Sequence, residues 1–264
     1  MTKYETNIIL YLLPKVLFLG FGFKLLINIA GTNTPISIII GTIIGLGINF
    51  ILTKFIHRIH KFIILTYSAI FFIIGIILIT QMIARIYLDL SSIWYILIPI
   101  ILLIFYTLTK KEVTIYRVTS ILVLFQIGII FLAFASLIPT IQPTNLTNIN
   151  DFETMNIITT SIIFAFLSTL PYTLLTDFKN QYRFGPYLIS CFILFIFSIL
   201  IIGILSSNVA VLFDYPEYVL FKSINVLGFL ENIENILFGI WFIVYFPFLN
   251  IAAYNIKKII RLKY

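Results

Sequence analysis

Eight long apolar blocks follow one another along the chain, with short polar stretches between them. Each block is about long enough to cross a bilayer as a helix. Helix is favoured over strand because a lone segment in lipid must satisfy its own backbone hydrogen bonds, and the blocks lack the alternation of barrel strands. The sequence therefore predicts an all-α, polytopic membrane helix bundle. The predicted spans are Ile8–Ala30, Ile36–Ile56, Phe62–Ala84, Ile93–Thr109, Val118–Ile138, Ile157–Leu175, Tyr187–Ser206 and Ile236–Tyr254.

The composition excludes an ordinary soluble enzyme. Apolar residues make up 61% of the 264 residues and charged residues only 10%, whereas soluble domains average about 25% charged residues. The single cysteine, Cys191, excludes an intrachain disulfide and is interpreted as inert packing in the seventh span. The net charge of +7 comes from basic residues between the apolar blocks, which is typical of membrane topology and not of a nucleic-acid-binding face. We find no nucleophile–base pair, metal cluster or phosphate loop, so no enzymatic activity, cofactor or nucleic-acid partner is expected.

The basic residues also predict an orientation. Thirteen of the 17 Lys and Arg residues fall in the two termini and in alternate loops, whereas the opposite side has only Arg85 and Lys222. Because basic loops stay in the cytoplasm, both termini are predicted to be cytoplasmic and the number of spans to be even. The opposite side is called the outer side below.

Two long connections lie on the outer side, at about 139–156 and 207–235. In the second, Tyr215-Pro216-Glu217 predicts the start of a helix, since proline is favoured in a first helical turn. The apolar residues that follow give a partly amphipathic stretch. We therefore expect a short amphipathic helix pair lying at the outer membrane interface.

Three features occur in a characteristic order. The first span contains Gly20-Phe21-Gly22, the sixth contains the polar interruption Ser168–Tyr172 with Pro171, and the outer connection carries Tyr215–Ile224 and Gly228–Glu234. In this order they resemble the permease-like B subunit of spore germinant receptors, within the amino acid–polyamine–organocation transporter superfamily. The chain departs from that pattern at Asn232, where the family typically has Arg.

The resemblance implies a fold of two inverted five-helix repeats within a single integral membrane domain, 1–264. The first repeat would cover about 8–138 and the second about 157–254. The second would be incomplete, because family members usually have ten spans and this chain has eight. The implied function is to sense a small nutrient germinant, an amino acid, in a transporter-like pocket in the bacterial spore inner membrane. The implied partners are the lipid bilayer, a membrane subunit with a soluble domain and a lipoprotein. An amino-acid or ion transporter using alternating access and a degenerate structural subunit remain alternatives.

The interruptions of the first and sixth spans are the candidate ligand site, because they occupy corresponding places in the two inverted halves. Glycine allows the first helix to unwind and expose its backbone, and Pro171 frees a carbonyl in the sixth. Close helix packing and a simple proline kink explain the same residues. The candidate ligand-binding residues are Gly20, Phe21, Gly22, Lys24, Ser168, Thr169 and Tyr172.

Two lysines lie inside the first span, where a charge is costly. Lys24 follows the glycines, and no acidic residue lies inside another span to pair with it. It is expected to attract a ligand carboxylate or, alternatively, to snorkel. Lys15 lies nearer the cytoplasmic end and is expected to snorkel.

Other polar residues are weaker candidates. Glu231 and Glu234 are expected on a partner-facing or exposed helix side. His57 and His60 fit a solvated loop better than a metal site. Interhelical hydrogen bonds explain the polar residues within spans as well as a cavity lining does, and Pro247 is expected to kink the last helix. These intramembrane polar residues are Gln81, Gln126, Tyr245 and Asn250.

Overall fold

The computed structural model describes residues 3–55, 61–87, 93–147, 153–175, 184–223 and 233–261. All regular structure in these ranges is helical, so the all-α prediction is confirmed for them. Each predicted span falls on helix over its described part, and the first is broken. The α-helices are α1 Lys3–Leu12, α2 Phe23–Ala30, α3 Thr34–Phe55, α4 Lys61–Tyr87, α5 Trp94–Leu108, α6 Glu112–Leu137, α7 Pro143–Thr147, α8 Thr154–Thr169, α9 Phe184–Leu205, α10 Ser207–Ala210, α11 Pro216–Lys222 and α12 Ile233–Arg261.

The chain is an integral membrane protein. Within the described residues, five helical stretches are long and apolar enough to cross a membrane. The first is 49 residues long and covers the first predicted span and most of the second, whereas α5 has only 15 residues. Large apolar side chains point outward from the helices, which suits lipid and would be unfavourable in water. The total of eight crossings stays a prediction. The five stretches are Tyr4–Leu52, Phe62–Ile86, Glu112–Thr140, Thr154–Leu174 and Phe184–Leu205.

Glycines bring α3 close to its neighbours. A Cβ atom at Gly41 would lie 2.6 Å from the carbonyl oxygen of Ser161 in α8, and one at Gly45 would overlap the Tyr187 hydroxyl of α9. Small residues four apart allow helix backbones to approach in this way. The second predicted span therefore lies directly against the sixth and seventh.

Polar contacts group several helix ends at one end of the bundle. Glu5 of α1 lies 3.8 Å from Arg117 of α6. Tyr254 of α12 donates hydrogen bonds to the carbonyls of Thr107, at 3.0 Å, and Lys110, at 2.5 Å. The starts of α1 and α6 and the ends of α5 and α12 therefore lie together, in agreement with the sides predicted for these elements.

The connection after α9 contains two short helices in its described part, and the predicted helix start at Pro216 is confirmed. Residues Ser207–Lys222, which comprise α10 and α11, are called the outer segment below. Helix α11 packs against α2, α9 and α12, and Leu220 and Phe221 are buried there. The apolar face of α11 therefore has protein partners, and its position relative to the membrane surface stays a prediction. Residues 224–232 lie outside the described residues.

Candidate ligand site at the break in the first span

The backbone of the first span leaves the helical conformation at Leu19 and Gly20. Leu19 has φ −76° and ψ 93°, and Gly20 has φ 138° and ψ −43°. Glycine is the residue that adopts this positive φ without strain. A Cβ atom at Gly20 would also lie 2.9 Å from the hydroxyl of Tyr245. The predicted break is therefore confirmed and lies at Gly20.

Gly22 has a different role from Gly20. Its φ of −65° is helical, and its N–H donates to the carbonyl of Leu17 at 3.1 Å, a π-helical hydrogen bond. A Cβ atom would lie 2.7 Å from that same carbonyl oxygen. Close approach, not an unusual φ, therefore requires glycine at this position.

The two backbone groups at the break are bound by distant elements. The Leu19 carbonyl accepts a 2.8 Å hydrogen bond from the hydroxyl of Tyr245, in α12. The Gly20 N–H donates a 2.8 Å hydrogen bond to Glu217 Oε1, in α11. Both side chains are fully buried. An unbonded backbone group in a lipid environment would cost several kcal/mol, so these contacts stabilise the break.

The Glu217 carboxylate occupies an electrostatically favourable place. It lies at the amide end of the half-helix that continues into α2, where the helix dipole favours negative charge. In the sequence, Glu217 was recognised only as part of a helix start. Its place after Pro216 in a largely apolar stretch was the available signal, because a carboxylate buried there needs a donor.

Lys24 lies at the outer end of the first span and has an acidic partner. Its Nζ atom lies 2.7 Å from Asp214 Oδ1, and Arg85 also bonds to Asp214. All three side chains are at least about one-third exposed. The hydrogen bond from Lys24, helped by the positive charges of Lys24 and Arg85, lowers the pKa of Asp214 below its usual value. The sequence showed no partner inside a span, and the structure supplies one from the outer segment.

Lys15 does not snorkel, so that expectation is wrong. It is 1% exposed, and its amine has no hydrogen-bond partner among the described residues. The amine lies 3.2 Å from the centroid of the Tyr11 ring. The cause is the tight turn Leu13–Lys15, which packs against α8, α9 and the turn after α8. This burial keeps the side chain from reaching the membrane surface.

The interruption of the sixth span has side-chain hydrogen bonds within its own helix and one from α12, since Asn255 donates to the Leu174 carbonyl at 2.8 Å. Helix α8 ends at Thr169, and a 3-10 turn with Pro171 follows it. The hydroxyls of Thr169 and Ser168 both donate to the carbonyl of Ala165, at 2.7 and 3.1 Å. The Ser168 hydroxyl also lies 3.0 Å from that of Tyr187. This pattern is that of a proline kink whose hydroxyls bond backward along the helix.

The sixth span contacts the first span at the inner side of the break. The Tyr172 hydroxyl donates to the carbonyl of Leu10 at 2.5 Å. The turn Leu170–Leu174 packs against the turn Leu13–Lys15. These contacts lie before the break, but α8 also packs against residues 18–22 and against α2, so the sixth span contacts the first on both sides of the break. The hydrogen bonds of Leu19 and Gly20 themselves come from α12 and α11.

An apolar groove of about 650 Å³ lies beside the break. Leu17 and Phe21 of the first span, Leu167 and Leu170 of the sixth and one face of α4 line it. Its walls are apolar apart from Thr66 and Tyr67 of α4, and they suit an acyl chain or an apolar side chain. Phe21 is thus a wall of this groove.

The remaining candidates within the spans differ in burial and in hydrogen bonding. Asn250 accepts a hydrogen bond from the Thr107 hydroxyl and donates to its own helix, which is the interhelical role foreseen as an alternative. Gln126 is fully buried, and its amide has no hydrogen-bond partner among the described residues. Gln81 is exposed, and Cys191 is buried as predicted.

Some predicted residues cannot be placed. His57, His60 and Glu231 lie outside the described residues, and Glu234 lies within α12 without a described side chain. Pro247 lies inside the same helix. Within the described ranges, no three His, Cys, Asp or Glu side chains form a group suited to a metal ion.

No family model, curated protein or solved structure matches this chain significantly. The resemblance to germinant-receptor subunits therefore rests on the sequence features given above. The geometry of the break is the structural basis on which a function can be proposed.

Proposed function

We propose that this protein is the transporter-like membrane subunit of a spore germinant receptor, which binds a small nutrient and signals with partner subunits. The nutrient carries a carboxylate and is an amino acid. In this proposal eight spans, with an incomplete second inverted repeat, build the core in the spore inner membrane, and both termini are cytoplasmic. The Gly20 break is the ligand site.

The observation that carries this proposal is the buried hydrogen bond from the Gly20 N–H to a carboxylate. Discontinuous membrane helices bind the carboxylates of their substrates with the amides of a half-helix. A position that already holds the carboxylate of Glu217 has the donor and the dipole that a ligand carboxylate requires. The proposal depends on the break and does not require a complete second repeat.

A second candidate function, a structural membrane subunit, has its own supporting observation. Tyr245 and Glu217 already bond the two backbone groups of the break within the chain. A ligand is therefore not needed to stabilise the break. The two candidates differ in whether any amino acid binds.

Ligand-dependent thermal stability separates the two candidates. The purified full chain in nanodiscs would be heated with each of the twenty amino acids, and with L-alaninamide as the probe that lacks a carboxylate. A sensor binds a ligand in its folded state, so at least one amino acid raises the unfolding temperature and the amide does not. A chain that responds to none of the twenty is a structural subunit.

Two tyrosines of α12 provide a matched pair for locating the site. Tyr245→Phe removes the hydroxyl at the break, whereas Tyr254→Phe removes one that bonds Thr107 and Lys110 at the other end. We expect the ligand-induced shift to fall in Tyr245→Phe and to persist in Tyr254→Phe. Equal shifts in both variants would place the ligand elsewhere.

A further inference from the structure

Two carboxylates three residues apart attach the outer segment to the first span. Asp214 bonds Lys24 at 2.7 Å and also contacts Arg85 of α4. Glu217 accepts the Gly20 N–H at 2.8 Å. The segment is therefore attached at two points, one at the break and one just beyond it.

The two attachments differ in their surroundings. The Asp214 cluster is half exposed, so salt screens it and water competes for its hydrogen bonds. Glu217 is 1% exposed, so its hydrogen bond is neither screened nor exchanged with water. A buried carboxylate that loses its donor pays the full desolvation penalty, unless the segment moves and returns it to water.

At Gly20 a backbone N–H bonds a carboxylate. The proposed ligand would bind in the same way, with its carboxylate on the Gly20 N–H. One N–H donates one strong hydrogen bond, so the amide of Gly20 cannot fully serve Glu217 and a ligand carboxylate at once. We propose that the outer segment is a strap whose Glu217 carboxylate holds the ligand position, and that a small carboxylate ligand displaces it. This inference rests on the proposed function and names how the same site is regulated.

The strap has the connections that such a movement requires. On one side it joins α9 through Ser206, a non-glycine residue with φ 64°. Its second helix, Pro216–Lys222, is separated from α10 by a non-helical stretch that contains Asp214. Displacement would expose the buried side chains Leu220 and Phe221, which gives the segment a new surface for a partner subunit. Ligand binding is thereby coupled to a change on the outer side.

The first part of the test needs no ligand. Hydrogen–deuterium exchange of residues 215–223 would be compared in the full chain in nanodiscs for wild type, Glu217→Ala, Glu217→Gln and Glu153→Gln. Glu153 is a carboxylate of the other outer connection that bonds Asn156, so it serves as the control. We expect faster exchange in Glu217→Ala, a smaller increase in Glu217→Gln, which keeps an acceptor, and none in Glu153→Gln. Unchanged exchange in both Glu217 variants would overturn the strap.

The second part measures the affinity of L-alanine, or of whichever amino acid stabilises the wild type most, for the same proteins. Removing an internal competitor bonded through a charged group raises the affinity about tenfold or more in Glu217→Ala. If Glu217→Ala proves too unstable, Glu217→Gln gives the same direction with a smaller increase. Glu153→Gln leaves the affinity unchanged.

The affinity measurements test the competition by Glu217 and the proposed function separately. Equal or weaker binding in the Glu217 variants would overturn the competition and leave the proposed function intact. No binding of any amino acid to any of the proteins would overturn the proposed function together with the competition. The exchange experiment decides in either case whether Glu217 holds the segment.

Discussion

The first and sixth spans are both interrupted, but different parts of the chain stabilise the two interruptions. At Leu19 and Gly20 the partners are Tyr245 and Glu217, 226 and 197 residues away. After α8 the hydroxyl of Thr169 bonds to Ala165 of the same helix. The turn that follows α8 also has distant partners, Asn255 and Leu10, so the local bonding is a property of the end of α8 and not of the whole interruption.

A membrane helix can therefore be interrupted in two structurally different ways. A helix end whose hydroxyls bond carbonyls of the same helix depends less on its neighbours. A break whose carbonyl and amide are bonded by other elements changes when those elements move. The Gly20 break can therefore report the position of α11 and α12, whereas the hydroxyl bonds at the end of α8 do not depend on them.

The largest expected effect comes from Gly20→Ala. The positive φ at Gly20 strains any side chain, and the new Cβ atom would meet the Tyr245 hydroxyl at 2.9 Å. We expect a loss of about 3 kcal/mol in unfolding free energy or a loss of folded protein. Gly128→Ala is the control, because a Cβ atom at Gly128 of α6 would have nothing within 4 Å, and it should be neutral or slightly stabilising. Thermal unfolding in nanodiscs measures both, and equal effects would contradict the account.

Lys15→Met tests the turn Leu13–Lys15, which packs against the turn after α8. The buried amine has no hydrogen-bond partner among the described residues, and methionine retains most of the side-chain length. Removing a polar group that is costly at membrane depth should raise the stability by about 2 kcal/mol. Lys24→Met, which removes an exposed ion pair, should change it by less than about 1 kcal/mol. If Lys15→Met destabilised the protein, the Lys15 amine would have a stabilising partner, which would contradict this prediction.

We expect a smaller difference in stability between Tyr245→Phe and Thr169→Val. Loss of the Tyr245 hydroxyl leaves the buried Leu19 carbonyl without that donor, at a cost of about 2 kcal/mol. Thr169→Val removes the hydroxyl bond to the Ala165 carbonyl but leaves the backbone of α8, which ends at Thr169, unchanged, so the cost should be less than about 1 kcal/mol. Denaturation curves of the two variants measure this order. A larger loss in Thr169→Val than in Tyr245→Phe would mean that the interruption of the sixth span depends more on its side-chain hydrogen bond than the Gly20 break does.

The smallest effect concerns the exposed attachment of the outer segment. The pKa of Asp214 is lowered in the folded state, so its contribution is present above its unfolded pKa of about 3.9 and is lost as the pH falls through the folded value. At neutral pH the unfolding free energy of wild type should exceed that of Asp214→Asn by less than about 1 kcal/mol. This difference should vanish in acid and shrink in high salt. Stability measured across pH in both proteins tests it, and a difference that grew in acid would contradict the ion pair.

The helices and the position of the break could be predicted, because both depend on local properties. Apolar length indicates a helix in lipid, and Gly20 is the residue that permits a positive φ. The packing of α3 also had a local signal in Gly41 and Gly45, which the prediction did not use. These features need no knowledge of the rest of the fold.

The partners of the break could not be predicted, because they depend on tertiary contacts. Nothing local to Glu217 indicates a bond to a residue 197 positions away. Lys15 lies near the end of an apolar block, where snorkelling is common, and only the Leu13–Lys15 turn shows why it stays buried. The partner of Lys24 was missed for a similar reason, since Asp214 belongs to a connection and not to a span.

The hydrogen bond between Gly20 and Glu217 is the central claim, and nuclear magnetic resonance can observe it directly. The chain contains three Leu–Gly pairs, Leu19–Gly20, Leu46–Gly47 and Leu227–Gly228. Labelling leucine carbonyl carbons and glycine nitrogens therefore isolates three amide signals, two of which are internal controls. An amide proton bonded to a carboxylate is shifted downfield, so we predict one such signal that moves upfield in Glu217→Gln while the other two stay in place. Three signals that are the same in wild type and Glu217→Gln would contradict the account.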